Sequence, residues 1–294
     1  MKRFLICLVA AAGLVLSAAA IAGAESSVWV VRGPKTTLYL AGSCHVLRAS
    51  DHPLPREFDA AYADSQRLIF EAPPAELETP DYIQKLMRVA ALTDGTTLRD
   101  HLSPSVYARA EKFCRERGYP FEQYQLFRPW MLAMFLTMQE LTRIGVAPEF
   151  GVDKIYYEKA KKDGKPAGGL ETADDQIRFL AAMDADLGND QVIETLDDLA
   201  ALNDKLPQIL NAWRTGNEAG IEAFSLRELK NHPNLYKTLI VERNRKWADK
   251  IEPLIRKGQN VMIIVGVAHL AGSDSVIALL KKRGHSVSKL TLRP

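Results

Sequence analysis

Apolar and polar positions along this chain alternate between two spacings, and the switches between them mark its elements. Val28 to Val31 and Thr37 to Ala41 are short apolar runs flanking Arg32-Gly33-Pro34-Lys35, which predicts two strands joined by a tight turn. Pro55 to Ser65 has helical spacing, and Arg67 to Phe70 reads as a strand delivering Glu71 at its C-terminal end. Helices are expected at Asp81 to Leu92, Pro104 to Arg117, Pro129 to Arg143 and Val152 to Lys162, separated at Asp94-Gly95, Gly118 and Gly145. Pro166 to Leu170 reads as a strand approaching Glu171, and Thr172 with Asp175 suggests a capping box for a helix toward Met183. From Asp190 to Gly258 the pattern is helical, with interruptions expected at Pro207, Gly216 and His232-Pro233. Asn260 to Val265 is a buried-type strand, Asp274 to Arg283 a helix and Val287 to Leu292 a closing strand. That order predicts a parallel pairing of the last two strands through a right-handed crossover.

The order of elements predicts an α/β (α+β) fold: a central, mostly parallel sheet flanked by helices, with a large helical insertion at about 80–235. No Pro-rich, Ser-rich or single-sign linker divides the chain, so residues 25–294 read as a single domain.

The first 24 residues read differently. Lys2 and Arg3 precede an apolar stretch from Phe4 to Val15, and the segment ends Ala22-Gly23-Ala24, the pattern of a cleavable signal peptide. The expected product starts at Glu25, is periplasmic or secreted, and contains no second long apolar segment that could span a membrane. Losing Lys2 and Arg3 reduces 38 basic residues to 36, matching the 36 acidic ones. With no excess of basic charge, nucleic acid is discarded as a partner. Cys44 and Cys114 remain after processing, too few for a disulfide framework, and are expected to be separate thiols.

The most informative chemistry is a repeated pattern. Leu38-Tyr39-Leu40-Ala41 runs into Gly42-Ser43-Cys44-His45, and Ile263-Ile264-Val265 runs into Gly266-Val267-Ala268-His269. Each is a strand followed by GxxH. One such motif means little in a chain with 18 glycines and 6 histidines. Two at the ends of apolar strands, where open α/β sheets bind ligands, suggest a shared site. Glu71 and Glu171 also follow strands. Two imidazoles with one or two carboxylates are a donor set for a catalytic divalent cation such as Mn, Co or Zn. The triplet Glu242-Arg243-Asn244 lies within a charged helical stretch and reads from spacing alone as a solvated face. No HExxH, GxSxG, GxxxxGK or GxGxxG occurs.

Tyr39 to His45, Arg128-Pro129-Trp130, Gly151-Val152-Asp153, Gly169 to Thr172, Glu242 to Asn244 and Gly266 to Leu270 together resemble the TraB/GumN family, which is similar to the animal Tiki proteins. The resemblance covers essentially the whole chain after the leader. It implies a metal-dependent hydrolase acting on peptide or protein substrates. His45, His269, Glu71 and Glu171 would be metal ligands, a glutamate the general base, and Arg243 the oxyanion stabiliser. It also lifts Glu242, Arg243 and Asn244 into the candidate site. Ser43-Cys44 departs from the family's usual Thr and small or aliphatic residue, which bears on the choice of metal. Two rivals follow from related folds: a non-catalytic haem-, iron- or metal-binding protein, and a hydrolase resembling erythromycin esterases, in which histidine and glutamate activate water without metal.

Overall fold

The computed structural model describes residues 26–186 and 188–292, so the expected leader at 1–24 lies outside the described residues. In chain order the strands are β1 (Val28–Arg32), β2 (Thr37–Ser43), β3 (Leu47–Arg48), β4 (Arg67–Phe70), β5 (Val146–Ala147), β6 (Ala167–Gly169), β7 (Val261–Gly266) and β8 (Val287–Lys289). Six of them form one sheet in the order β6-β4-β7-β2-β1-β8, while β3 and β5 pair separately. The links β6-β4, β4-β7 and β7-β2 are parallel, and β2-β1 and β1-β8 are antiparallel. The fold is therefore mixed α/β around a mostly parallel sheet.

The central strands of the sheet are buried on both faces because alternate residues feed two different cores. Leu38, Leu40, Ile263 and Val265 join Trp247, Ile251, Ile277 and Leu280 beneath the helices Glu242–Ile251 and Val276–Lys282. Tyr39, Ala41, Met262 and Ile264 face the other way, toward Phe58, Tyr156, Leu210 and Trp213. A one-residue slip of β7 would exchange the two sets, so packing fixes the register that sets Ser43 beside Gly266.

The stretch expected as an insertion is largely helical, with its own core of residues such as Leu98, Val106, Phe121, Leu136, Val192 and Leu196. Its middle nevertheless returns to the sheet. β6 pairs with β4, and the helix Val152–Lys162 packs Val152, Tyr156 and Ala160 into the core shared with β2.

Two expectations require correction. β8 does not pair with β7. Both edges of β7 are occupied by β2 and β4, so the returning strand adds antiparallel to the open edge of β1, although it still runs in the direction of β7. Pro207 does not break its helix, which continues over Leu202–Arg214. Pro207 and Asn203 lie on the exposed side, where water can serve the carbonyl that a proline cannot, while Leu206, Leu210 and Trp213 anchor the opposite side. In the helical stretch after His232, a π turn at Lys237–Val241 immediately precedes the helix carrying Arg243. Such turns are rare and recur at functional sites.

Ile263 is fully buried at the sheet centre. Ile263→Ala should lower unfolding stability by about 2–5 kcal/mol in chemical denaturation. A loss under about 1 kcal/mol would contradict a close-packed two-faced sheet.

Candidate active site

Parallel pairing brings together residues that are distant in sequence. β2 and β7 end side by side, so both GxxH loops leave the same sheet edge. On the other side of β7, β4 delivers Glu71, and β6 next to it leads to Glu171. Hydrogen bonds from Leu170 N to Phe70 O (2.9 Å) and from Glu171 N to Glu71 O (2.7 Å) carry this alignment past the strand ends. The sequence-predicted residues His45, Glu71, Glu171, Arg243, Asn244 and His269 all meet here.

Arg243 lies at the centre. Its Nε donates to Glu171 Oε1 (2.9 Å), and its Nη2 donates to Glu71 Oε2 (2.6 Å) and Glu171 Oε2 (2.9 Å). Its Nη1 donates to Leu239 O in the π turn (3.4 Å) and to His269 Nε2 (3.3 Å). A guanidinium has five N–H groups, and these contacts engage all of them. Trp247 and Phe179 each lie 4.8 Å from the guanidinium carbon and cover it. Arg243 is thus a buried clamp whose five N–H groups are all engaged within the protein.

The clamp fixes the state of His269. Because Arg243 donates to Nε2, that nitrogen carries the lone pair, and Nδ1–H donates to Asn244 Oδ1 at 2.7 Å. Asn244 is itself oriented by donating from Nδ2 to Asp274 O at 2.8 Å. Burial, followed by the Arg243 charge, holds His269 neutral, with its pKa pushed down to about 3. Trp247 packs against the ring, centroids 4.4 Å apart.

His45 is in the opposite situation. Its side chain is 58 % exposed, and its Nδ1 donates to Asp153 Oδ2 at 2.8 Å. The Asp153 carboxylate is the main cause raising the imidazole, to about 9, so His45 is protonated at neutral pH. Its Nε2 lies 3.8 Å from Glu71 Oε1, which also accepts the Gly266 N–H at 2.7 Å. Burial would raise the Glu71 carboxyl, but the Arg243 guanidinium, the His45 imidazolium and the Gly266 N–H outweigh it and hold it well below the usual carboxylate range. A cationic imidazole and an ionised carboxylate therefore face each other. They border an open, mostly apolar cleft of about 330 Å³.

Asp153, in the Gly151-Val152-Asp153 motif, joins the site although the sequence reading does not place it there. Its signal was the adjacent Gly151: a Cβ there would lie 2.0 Å from His45 O, so only glycine lets this helix start against the His45 loop. Val152 N donates to Cys44 O across the same contact, and Ser43 Oγ donates to Asp153. Glu242 is not brought into the site. Its side chain is 45 % exposed and lies 3.8 Å from Lys237, as expected of a solvated helix face. Cys44 and Cys114 are free thiols. Burial raises each to about 12, so neither is a thiolate at neutral pH.

The four expected metal ligands sit against the same clamp. A catalytic cation of the zinc type takes about three protein donors. Both Glu171 oxygens and His269 Nε2 are engaged by Arg243, which supplies the positive charge between the carboxylates. Of the four expected ligands, Arg243 leaves uncovered only His45 Nε2 and Glu71 Oε1. No group of three His, Cys, Asp or Glu residues suited to a metal occurs among the described residues. As arranged, the residues do not fit a cation held by three protein donors. A haem-binding reading with two axial imidazoles meets the same obstacle at His269.

The charged cluster, built from two GxxH loops, sits on the C-terminal edge of a mostly parallel α/β sheet, and the chain belongs to the TraB/PrgY/gumN family, whose model matches residues 27–289. Among individual relatives, it is 25 % identical over 246 residues to the uncharacterized protein YbaP of Escherichia coli, covering 83 % of this chain and 87 % of that one. It is 24 % identical over 321 residues to the metalloprotease TIKI homolog of Nematostella vectensis, covering 90 % of this chain and 66 % of the relative. It is 23 % identical over 325 residues to metalloprotease TIKI2 of Danio rerio, covering 90 % of this chain and 60 % of the relative. No solved structure matches the chain. No helix among the described residues is long and apolar enough to cross a membrane.

Replacing Arg243 tests its role as clamp and counter-charge. Arg243→Met strands Glu71 and Glu171 without their cation and should cost about 3–5 kcal/mol in denaturation. Arg243→Ala should also free His269 and Glu171 and bind Zn²⁺ or Mn²⁺ more tightly than wild type in calorimetry. Equal or tighter binding by the wild type would show that Arg243 does not block those donors.

Proposed function

We propose that this chain is an exported hydrolase that cleaves amide bonds in peptide or protein substrates. One observation carries the reading: His45 Nε2 and Glu71 Oε1 face each other, 3.8 Å apart, beside an open cleft. Gly266 keeps the gap between them clear, since a Cβ there would lie 3.0 Å from His45 Nε2 and 3.1 Å from Glu71 Oε1. A water molecule in this gap donates one hydrogen bond to Glu71 and attacks the carbonyl carbon of an amide lying in the cleft. Glu71, a weak base because its pKa is depressed, orients the water through Oε1 and takes its proton only as the new C–O bond forms and makes that proton acidic. His45, oriented through Nδ1 by Asp153, gives its Nε2 proton to the departing amine nitrogen as the C–N bond breaks.

Similarity to the TIKI metalloproteases supports peptide or protein as the substrate class. Export rests on the leader pattern at 1–24. Between the metal-dependent reading and the one in which histidine and glutamate activate water, the position of Arg243 favours the second. Arg243 and Asn244 hold Glu71, Glu171 and His269 in place and take no proton.

The test is cleavage of unstructured peptides by purified protein, followed by mass spectrometry. Glu71→Gln and His45→Ala should each reduce kcat by roughly 10²-fold or more. Wild-type turnover in either variant sinks the assignment. Because the acid is His45 in its protonated form, kcat should fall as pH rises through about 9. Asp153→Asn removes the main cause of that elevation and should move the alkaline limb down toward the ordinary histidine value of about 6.5. An unmoved limb would show that Asp153 does not set the acid.

A further inference from the structure

The cleft beside His45 and Glu71 has a chemical character that the proposed reaction does not by itself require. One wall is the end of β4 and the segment after it, contributing Phe70, Pro74 and Leu77; the other is the helix Val152–Lys162, contributing Tyr157; and Pro148 closes one end. Phe70 and Tyr157 meet edge to face, with centroids 6.1 Å apart, which links the walls at the base.

The charged residues lining the cleft are already matched within the protein. His45 pairs with Asp153, Glu71 with Arg243, and Lys154 with both Glu78 and Glu158. The Lys154–Glu78 pair joins the two walls. A charged ligand group would enter an apolar space without a free counter-ion and would lose its hydration. A neutral apolar group of similar size loses no such hydration and gains from burial. At about 330 Å³, the cleft is at the small end of ligand sites and suits one large side chain with its backbone.

We infer that this cleft is a specificity subsite for an uncharged, apolar side chain, of leucine or phenylalanine size, on the residue adjoining the scissile amide. That this amide is cut rests on the proposed hydrolase reading; the binding preference does not. Contact with Leu77 and Tyr157 would place the neighbouring amide beside the His45–Glu71 gap, because all four residues line one cleft.

Two readouts keep the subsite and the reaction separate. In the first, N-acetyl-leucinamide and the amide of N-acetyl-aspartic acid are titrated into the protein and followed by amide NMR shifts. The leucine probe should perturb the Leu77 and Tyr157 signals and bind at least about tenfold more tightly than the aspartate probe. Leu77→Asp should abolish that preference, and Leu77→Ala should weaken it if the charged variant fails to fold. Equal binding of both probes, or shifts confined to other surfaces, overturns the subsite. In the second, peptides differing only at the residue flanking the cut are compared by kcat/KM. At least a tenfold advantage for leucine or phenylalanine over aspartate and lysine supports the inference, and cleavage without preference overturns it. Selective leucine binding with no cleavage of any peptide leaves the subsite standing and removes the hydrolase reading instead.

Discussion

The guanidinium of Arg243 is the constraint on which the rest of the site depends. Two carboxylates and a neutral imidazole are held within one buried cluster, and such a group is costly unless each charge and lone pair finds a partner. Arg243 meets that demand with all five N–H groups. A lysine could keep the charge but has three donors and no planar fork. The π turn before the helix contributes by presenting Leu239 O to Nη1. The cation–π cover from Phe179 and Trp247 keeps water away from the same group.

From this clamp the two histidines acquire opposite states. His269 is buried and faces a cation, so it stays neutral, whereas His45 is open and faces Asp153, so it stays charged. The paired GxxH motifs look equivalent in sequence but are not equivalent in chemistry. One helps hold the architecture around Arg243, and the other presents a proton to the cleft. Glu71 belongs to both halves: Oε2 accepts from Arg243, while Oε1 faces His45.

The features legible in the sequence were those with local causes. The helices Pro104–Arg117, Pro129–Arg143 and Val152–Lys162 match their expected limits because proline or glycine marks their ends. The convergence of the GxxH loops was legible because apolar runs preceded both. Spacing alone places Arg243 on a solvated face because its partners Glu71 and Glu171 lie 172 and 72 residues away and nothing in its own helix distinguishes it from the solvated Glu242. Asp153 was passed over for the same reason: its contact with His45 spans 108 residues and depends on Gly151 admitting the His45 backbone. Pro207 shows the reverse limit, where a strong local signal yields to an anchored helix face.

The central claim is that Arg243 fixes His269 as a neutral ring protonated at Nδ1 while His45 is cationic. Nitrogen-15 NMR of histidine-labelled protein at neutral pH measures both rings at once. The account predicts an unprotonated Nε2 and a slowly exchanging Nδ1–H for His269, together with two protonated nitrogens for His45. A protonated Nε2 on His269, or a neutral His45, would contradict it.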